Sequence, residues 1–215
     1  MTAMSVRIKK SVGMRVLGLD PAAAGPTGYG IIESDGRRCT LLHYGALRVP
    51  MARRKAFAGA ALQDVHELIS RLIRDFSPTV VAAESVFTAL NMRTALRLAE
   101  VRGVVLLAAA QHGLAVYSYS PREVKASVGG YGHADKRQMQ LMVRALLSMT
   151  ETPESADAAD ALAVALCHVQ AEQARLRFGL PIESSARPKS RVPPPAVTAA
   201  RGATRAALPR IESTR

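Results

Sequence analysis

Apolar positions alternate with polar ones, or run together, in five short stretches of the chain: 14–20, 28–34, 38–48, 79–84 and 114–119. Each predicts a β-strand. Asp35-Gly36 separates the second from the third, a dipeptide suited to a hairpin, so the sheet opens as an antiparallel meander. Leu62, Val65, Leu68, Ile69, Leu72, Ile73 and Phe76 then recur at helical spacing and predict a helix over 56–75. Ser77-Pro78 ends it, because the residue before proline avoids right-handed helical geometry. Further helices are expected over 91–111, from Ser120 onward, over 136–148 and over 156–176. Ser120-Pro121-Arg122-Glu123 matches a capping box with proline in the first helical position. Gly129, Gly130 and Gly132 break the helix it opens, and Ser155 is placed to cap the last one. The order β-β-β-α-β-α-β-α-α-α predicts an α/β sheet with an antiparallel edge meander and helices on its faces.

The two ends of the chain have a different character. Residues 1–13 read as an appendage, and Met14 as a possible true start; peptides from 1–13 in the native protein would overturn that start. Beyond Gly179-Leu180 there are six prolines, three of them consecutive at 193–195, and almost no large apolar side chain. Such a segment buries too little surface to order itself, so 179–215 is expected to be a disordered basic tail. One folded domain over 14–178 remains.

Charge narrows the function. The net charge is +12, of which the seven basic and two acidic residues after 180 supply only part. The folded portion is therefore basic by itself, which favours a polyanionic partner: nucleic acid first, a membrane surface second. No run of about 18 apolar residues is present, so no membrane span is expected. Arg7, Lys9 and Lys10 are followed by no apolar core, which argues against a secretory signal and for the cytoplasm. Cys39 and Cys167 fit no zinc spacing and read as two buried free thiols.

Four carboxylates stand out. Asp20 ends the apolar run Val16–Leu19, where α/β sheets place their chemistry, although Asp-Pro also simply initiates turns. Glu84 ends a second apolar strand, against the usual depletion of glutamate in strands. Asp157 and Asp160 are three apart and share a helix face amid Ala156, Ala158, Ala159 and Ala161, small residues that would let the helix lie close to the sheet. Acids at a helix start need no further reason than its dipole. Together, however, four like charges are costly unless a cation neutralises them. Hard oxygen ligands select Mg²⁺, with Mn²⁺ as substitute, and two such ions can activate water and stabilise the leaving oxygen of a phosphodiester.

Gly18-Leu-Asp-Pro21, Thr27-Gly-Tyr-Gly30, Glu84-Ser-Val-Phe87, Ala99-Glu-Val-Arg-Gly103, Val124-Lys125, Ala134-Asp-Lys136 and Ala156-Asp-Ala-Ala-Asp-Ala-Leu162 occur in order over residues 14–175. In that series the chain resembles the RuvC Holliday junction resolvases. The resemblance implies an RNase H-like fold with a mixed five-stranded sheet. It implies a homodimer that resolves four-way junction DNA by paired symmetric nicks, leaving 5′-phosphate and 3′-hydroxyl ends, in recombination and repair. RuvA and RuvB, the branch-migration proteins, become implied partners. Asp20, Glu84, Asp157 and Asp160 match the metal-binding carboxylates, Phe87 the aromatic that disturbs base stacking, and Lys125 and Lys136 the basic residues near the scissile phosphate. Each of these three has a plainer reading: Phe87 as packing for the next helix, the lysines as solvated surface. Arg93 and Arg97, i and i+4 on the long helix, suit a phosphate-contacting stripe or a solvated face equally. His133, in the glycine-rich loop, is read as a plain loop histidine. The long helix after Asn91 serves equally as interface or core.

The chain departs from the family pattern at Ala22-Ala23-Ala24-Gly25-Pro26, a longer loop with no hydroxyl or charge before Thr27. This keeps alive a junction-binding protein of the same fold that cuts weakly or not at all. An actin-like kinase or ATPase would need a second domain and a Gly-Thr phosphate loop. A basic structural protein would make the four acids unrelated.

Overall fold

The computed structural model describes residues 13–22, 25–57, 59–85 and 91–179. Five strands, β1 (Met14–Asp20), β2 (Thr27–Ser34), β3 (Cys39–Leu47), β4 (Val80–Glu84) and β5 (Val116–Tyr119), form one sheet in the order β3-β2-β1-β4-β5. The first three pair antiparallel, as the hairpin signal predicts; β4 and β5 join parallel. At the hairpin, Asp35 Oδ1 accepts from the Arg37 and Arg38 backbone N–H groups, both at 2.8 Å, and Gly36 takes a left-handed φ of 90°.

Among the described residues six helices flank the sheet: α1 (Met51–Ala56), α2 (Ala60–Phe76), α3 (Met92–Gln111), α4 (Pro121–Gly129), α5 (Lys136–Leu146) and α6 (Ala156–Phe178). The helix expected over 56–75 is α2, which begins at Ala60; the short α1 ahead of it was not expected. Gly59, at φ 88°, separates a six-residue α1 from α2. Before Pro78, Ser77 is left-handed at φ 47°, so the expected helix stop is an αL cap. Both reciprocal bonds of the Ser120–Glu123 capping box form, and Ser155 caps α6 as expected.

Alternation along the strands sorts the core into two layers. Leu17, Leu19, Val81 and Ala83 pack with α2 and α3; Val16, Val80 and Ala82 pack with α4, α5 and α6. Period two therefore assigns Asp20 and Glu84, the next residues in the Val16 and Val80 series, to the α6 side. Cys167 is buried, but Cys39 is only half-buried, contrary to expectation, because β3 is an edge strand.

Glycines let α6 settle onto the strands. A Cβ at Gly28 would stand 1.9 Å from the Asp157 carbonyl oxygen, one at Gly18 2.2 Å from that of Ala161, and one at Gly30 2.5 Å from Leu162 Cδ2. The first two obstacles are backbone, so nothing short of moving the helix relieves them. Gly28→Ala is therefore expected to lower unfolding free energy by about 1–3 kcal/mol or more, as overpacking does. Urea unfolding of the variant checks this; an unchanged midpoint would mean that the helix is not held so closely.

Candidate active site

Asp20 and Glu84 stand at the carboxyl ends of adjacent parallel strands, one step past the Leu19–Ala83 pair. In the first turn or so of α6, Asp157 and Asp160 lie over the same ends, because the helix begins where Gly28 faces the Asp157 backbone. All four are half-buried.

Electrostatics report how near they are. Burial pushes the Asp20 carboxyl well above the usual carboxylate range, and the charges of Glu84, Asp160 and Asp157 push it further. Asp20 and Glu84 are close enough to shift each other in opposite directions, Asp20 up and Glu84 down. Burial likewise raises Glu84; Asp20 and the Lys125 charge hold it back, while Asp160 adds to the rise. Burial raises Asp160 too, opposed chiefly by Lys136, whose Nζ lies 3.7 Å from Asp160 Oδ2. Asp157 accepts from Ser155 Oγ at 3.4 Å.

An aspartate held protonated in the fold but ionised when unfolded makes folding less favourable as pH rises through neutrality. The cluster is thus short of positive charge. Two lysines face it: Lys125, half-buried on α4, and the more exposed Lys136 at the start of α5. Among the described residues no group of three or more His, Cys, Asp or Glu is drawn together tightly enough to hold a metal ion. The donor set is all carboxylate oxygen, which fits a hard divalent cation and not zinc.

The remaining candidates are dispersed. Arg93 and Arg97 are both exposed on α3. Arg97 does line a cavity of about 650 Å³ that also takes in Ala22 and Gly25 from the loop after Asp20, and Lys55 and Phe57 from α1 and its end. Phe87 lies outside the described residues. The cavity's α1 wall was not foreseen; the Arg53-Arg54-Lys55 run was its only sequence signal.

Comparison with known proteins bears on the same residues. The family model "Crossover junction endodeoxyribonuclease RuvC" matches residues 16–168. RuvC of Natranaerobius thermophilus is 44% identical over 165 residues, covering 77% of this chain and all of the relative. RuvC of Heliobacterium modesticaldum is 47% identical over 154 residues, covering 72% and 93%. Among solved structures, T. thermophilus RuvC in complex with Holliday junction substrate superposes with a TM-score of 0.69 at 32% identity, covering 74% of this chain and 95% of that one. The yeast mitochondrial resolvase Ydc2, at 16% identity and a TM-score of 0.56, shares the fold. The sheet order, the carboxylates at its strand ends and these matches agree, and the chain belongs to the RuvC family of crossover junction endodeoxyribonucleases.

Proposed function

We propose that the protein resolves four-way DNA junctions by paired, metal-dependent nicks, with Asp20, Glu84, Asp157 and Asp160 as the metal-holding carboxylates. The observation that carries this reading is the crowding of acids at the ends of β1 and β4 and the start of α6, where burial and the neighbouring charges push the Asp20 carboxyl well up. Two Mg²⁺ ions, or Mn²⁺, would supply the charge that activates water and stabilises the leaving oxygen. Asp20, Glu84 and the α6 pair Asp157 and Asp160 would hold them. Lys125 and Lys136 neutralise charge that develops on the phosphate. Phe87 is proposed to disturb stacking at the crossover, and Arg93 and Arg97 to contact phosphates, Arg97 from the cavity beside the Asp20 loop.

Homodimerisation is supported by α3. Val101, Val105, Ala108 and Ala109 are buried in the core, while Met92, Leu96, Ala99, Gly103, Leu107 and Ala110 form a second, exposed stripe at helical spacing. Met92 is 75% exposed, Leu96 59% and Leu107 54%. A row of apolar side chains left in water beside gaps at Ala99, Gly103 and Ala110 suits a second copy of the same helix. Family membership extends the proposal to RuvA and RuvB as partners and to the cytoplasm as the place of action. No described helix is long and apolar enough to cross a membrane.

Nicking of a synthetic four-way junction and a matched linear duplex, in Mg²⁺ and in EDTA, tests the central reading. Wild type is expected to cut the junction in pairs only with Mg²⁺; Asp20→Asn should lose cutting by several orders of magnitude yet still bind. Binding by wild type with no cutting across several sequences and metals would favour a junction binder whose 22–26 loop has cost it activity. For the dimer, Leu96→Glu with Leu107→Glu should halve the mass measured by sedimentation while the fold, followed by circular dichroism, persists. An unchanged mass would place the interface elsewhere.

A further inference from the structure

The loop between α4 and α5 is built with more care than a connector needs. Gly129 has no room for a Cβ, which would stand 2.6 Å from Ala134 Cβ, and Gly130 is left-handed at φ 83°. The Ala134 N–H donates to the Tyr131 carbonyl at 3.3 Å, and Ala134 is fully buried as the loop's anchor. A Cβ at Gly132 would touch Arg122 Cγ at 3.0 Å, so the Arg122 stem runs along the loop. Every element of the turn is thereby accounted for without the Tyr131 ring.

That ring is nevertheless held at the surface. Tyr131 is 51% exposed, and its hydroxyl donates to Gln138 Oε1 on α5. The loop's two helices carry Lys125 and Lys136, the lysines that face the carboxylates. A pinned aromatic face, next in the loop to Gly132 against the Arg122 stem and bonded to α5, the helix that Lys136 opens, has the make-up of a single-stranded nucleic-acid contact: aromatic surface for a base, cations on the same elements for the flanking phosphates.

We infer that Tyr131 is a base-stacking contact for a nucleotide displaced from the helical stack near the scissile phosphate, on the α4–α5 side of the carboxylate cluster. This rests on the nuclease reading above. Its energetic signature is selective: a paired duplex offers no free base face, so only junction binding draws on the ring.

Affinities of the full-length protein for a four-way junction and a linear duplex, measured in EDTA across a salt series, test the assignment. Tyr131→Ala should weaken junction binding at least about fivefold, the lower end for one stacked base, with duplex affinity unchanged. The salt slope should stay as in wild type, because no phosphate contact is lost. Tyr131→Phe should bind as wild type, and Tyr131→Leu, which keeps apolar bulk in the turn, should be as weak as alanine. Wild-type junction affinity in Tyr131→Leu would overturn the stacking role. So would equal losses on junction and duplex, or a phenylalanine variant as weak as alanine, which would assign the effect to the Gln138 bond. Absence of junction preference in the wild type would instead remove the nuclease reading on which the inference stands.

Discussion

Everything distinctive in this molecule depends on how closely α6 lies against β1 and β2. Gly18, Gly28 and Gly30 remove the side chains that would hold the helix off, and Ala158, Ala161 and Ala165 keep its own surface low. The contact is backbone against backbone, with the Asp157 and Ala161 carbonyls where Cβ atoms would be. Lifting the helix to admit them would also carry Asp157 and Asp160 away from the strand ends. The same glycines that weaken strand propensity are thus what places four acids together.

That placement has an electrostatic cost, and the cost is informative. A fold selected only for stability would not bury Asp20 beside Glu84 and Asp160 with so little opposing charge. Lys125 and Lys136 offset part of the repulsion, and the Asp20 carboxyl remains pushed well up. Acids crowded this closely at strand ends are ones that a divalent cation would neutralise favourably. The same arrangement disfavours folding in the absence of such an ion and favours binding it, the usual trade between stability and function.

Strands and long helices were legible because their apolar periods are strong and their signals local: Asp35-Gly36, Ser120 and Ser155 each do what their residue type predicts. The short α1 was not, since six residues carry too little period to register and Gly59 interrupts the pattern that continues into α2. The acids were legible as strand-end and helix-face anomalies, and the alanines around Asp157 correctly suggested a close approach. What the linear order hid was which side of the sheet each acid takes. Only the strand register, with Asp20 and Glu84 in phase with Val16 and Val80, puts them beneath α6. The division of α3 between core and exposed stripe was equally hidden, because both faces are apolar in sequence and differ only in what packs on them.

The claim that the cluster is a cation trap is tested most directly by thermal unfolding near pH 8, with and without Mg²⁺, for wild type and Asp20→Asn. The account predicts that the amide variant melts higher than wild type in EDTA, because one buried acid no longer repels the others, and that Mg²⁺ raises the melting temperature of wild type while leaving the variant nearly unmoved. Equal Mg²⁺ shifts in the two proteins, or a variant less stable than wild type in EDTA, would contradict it.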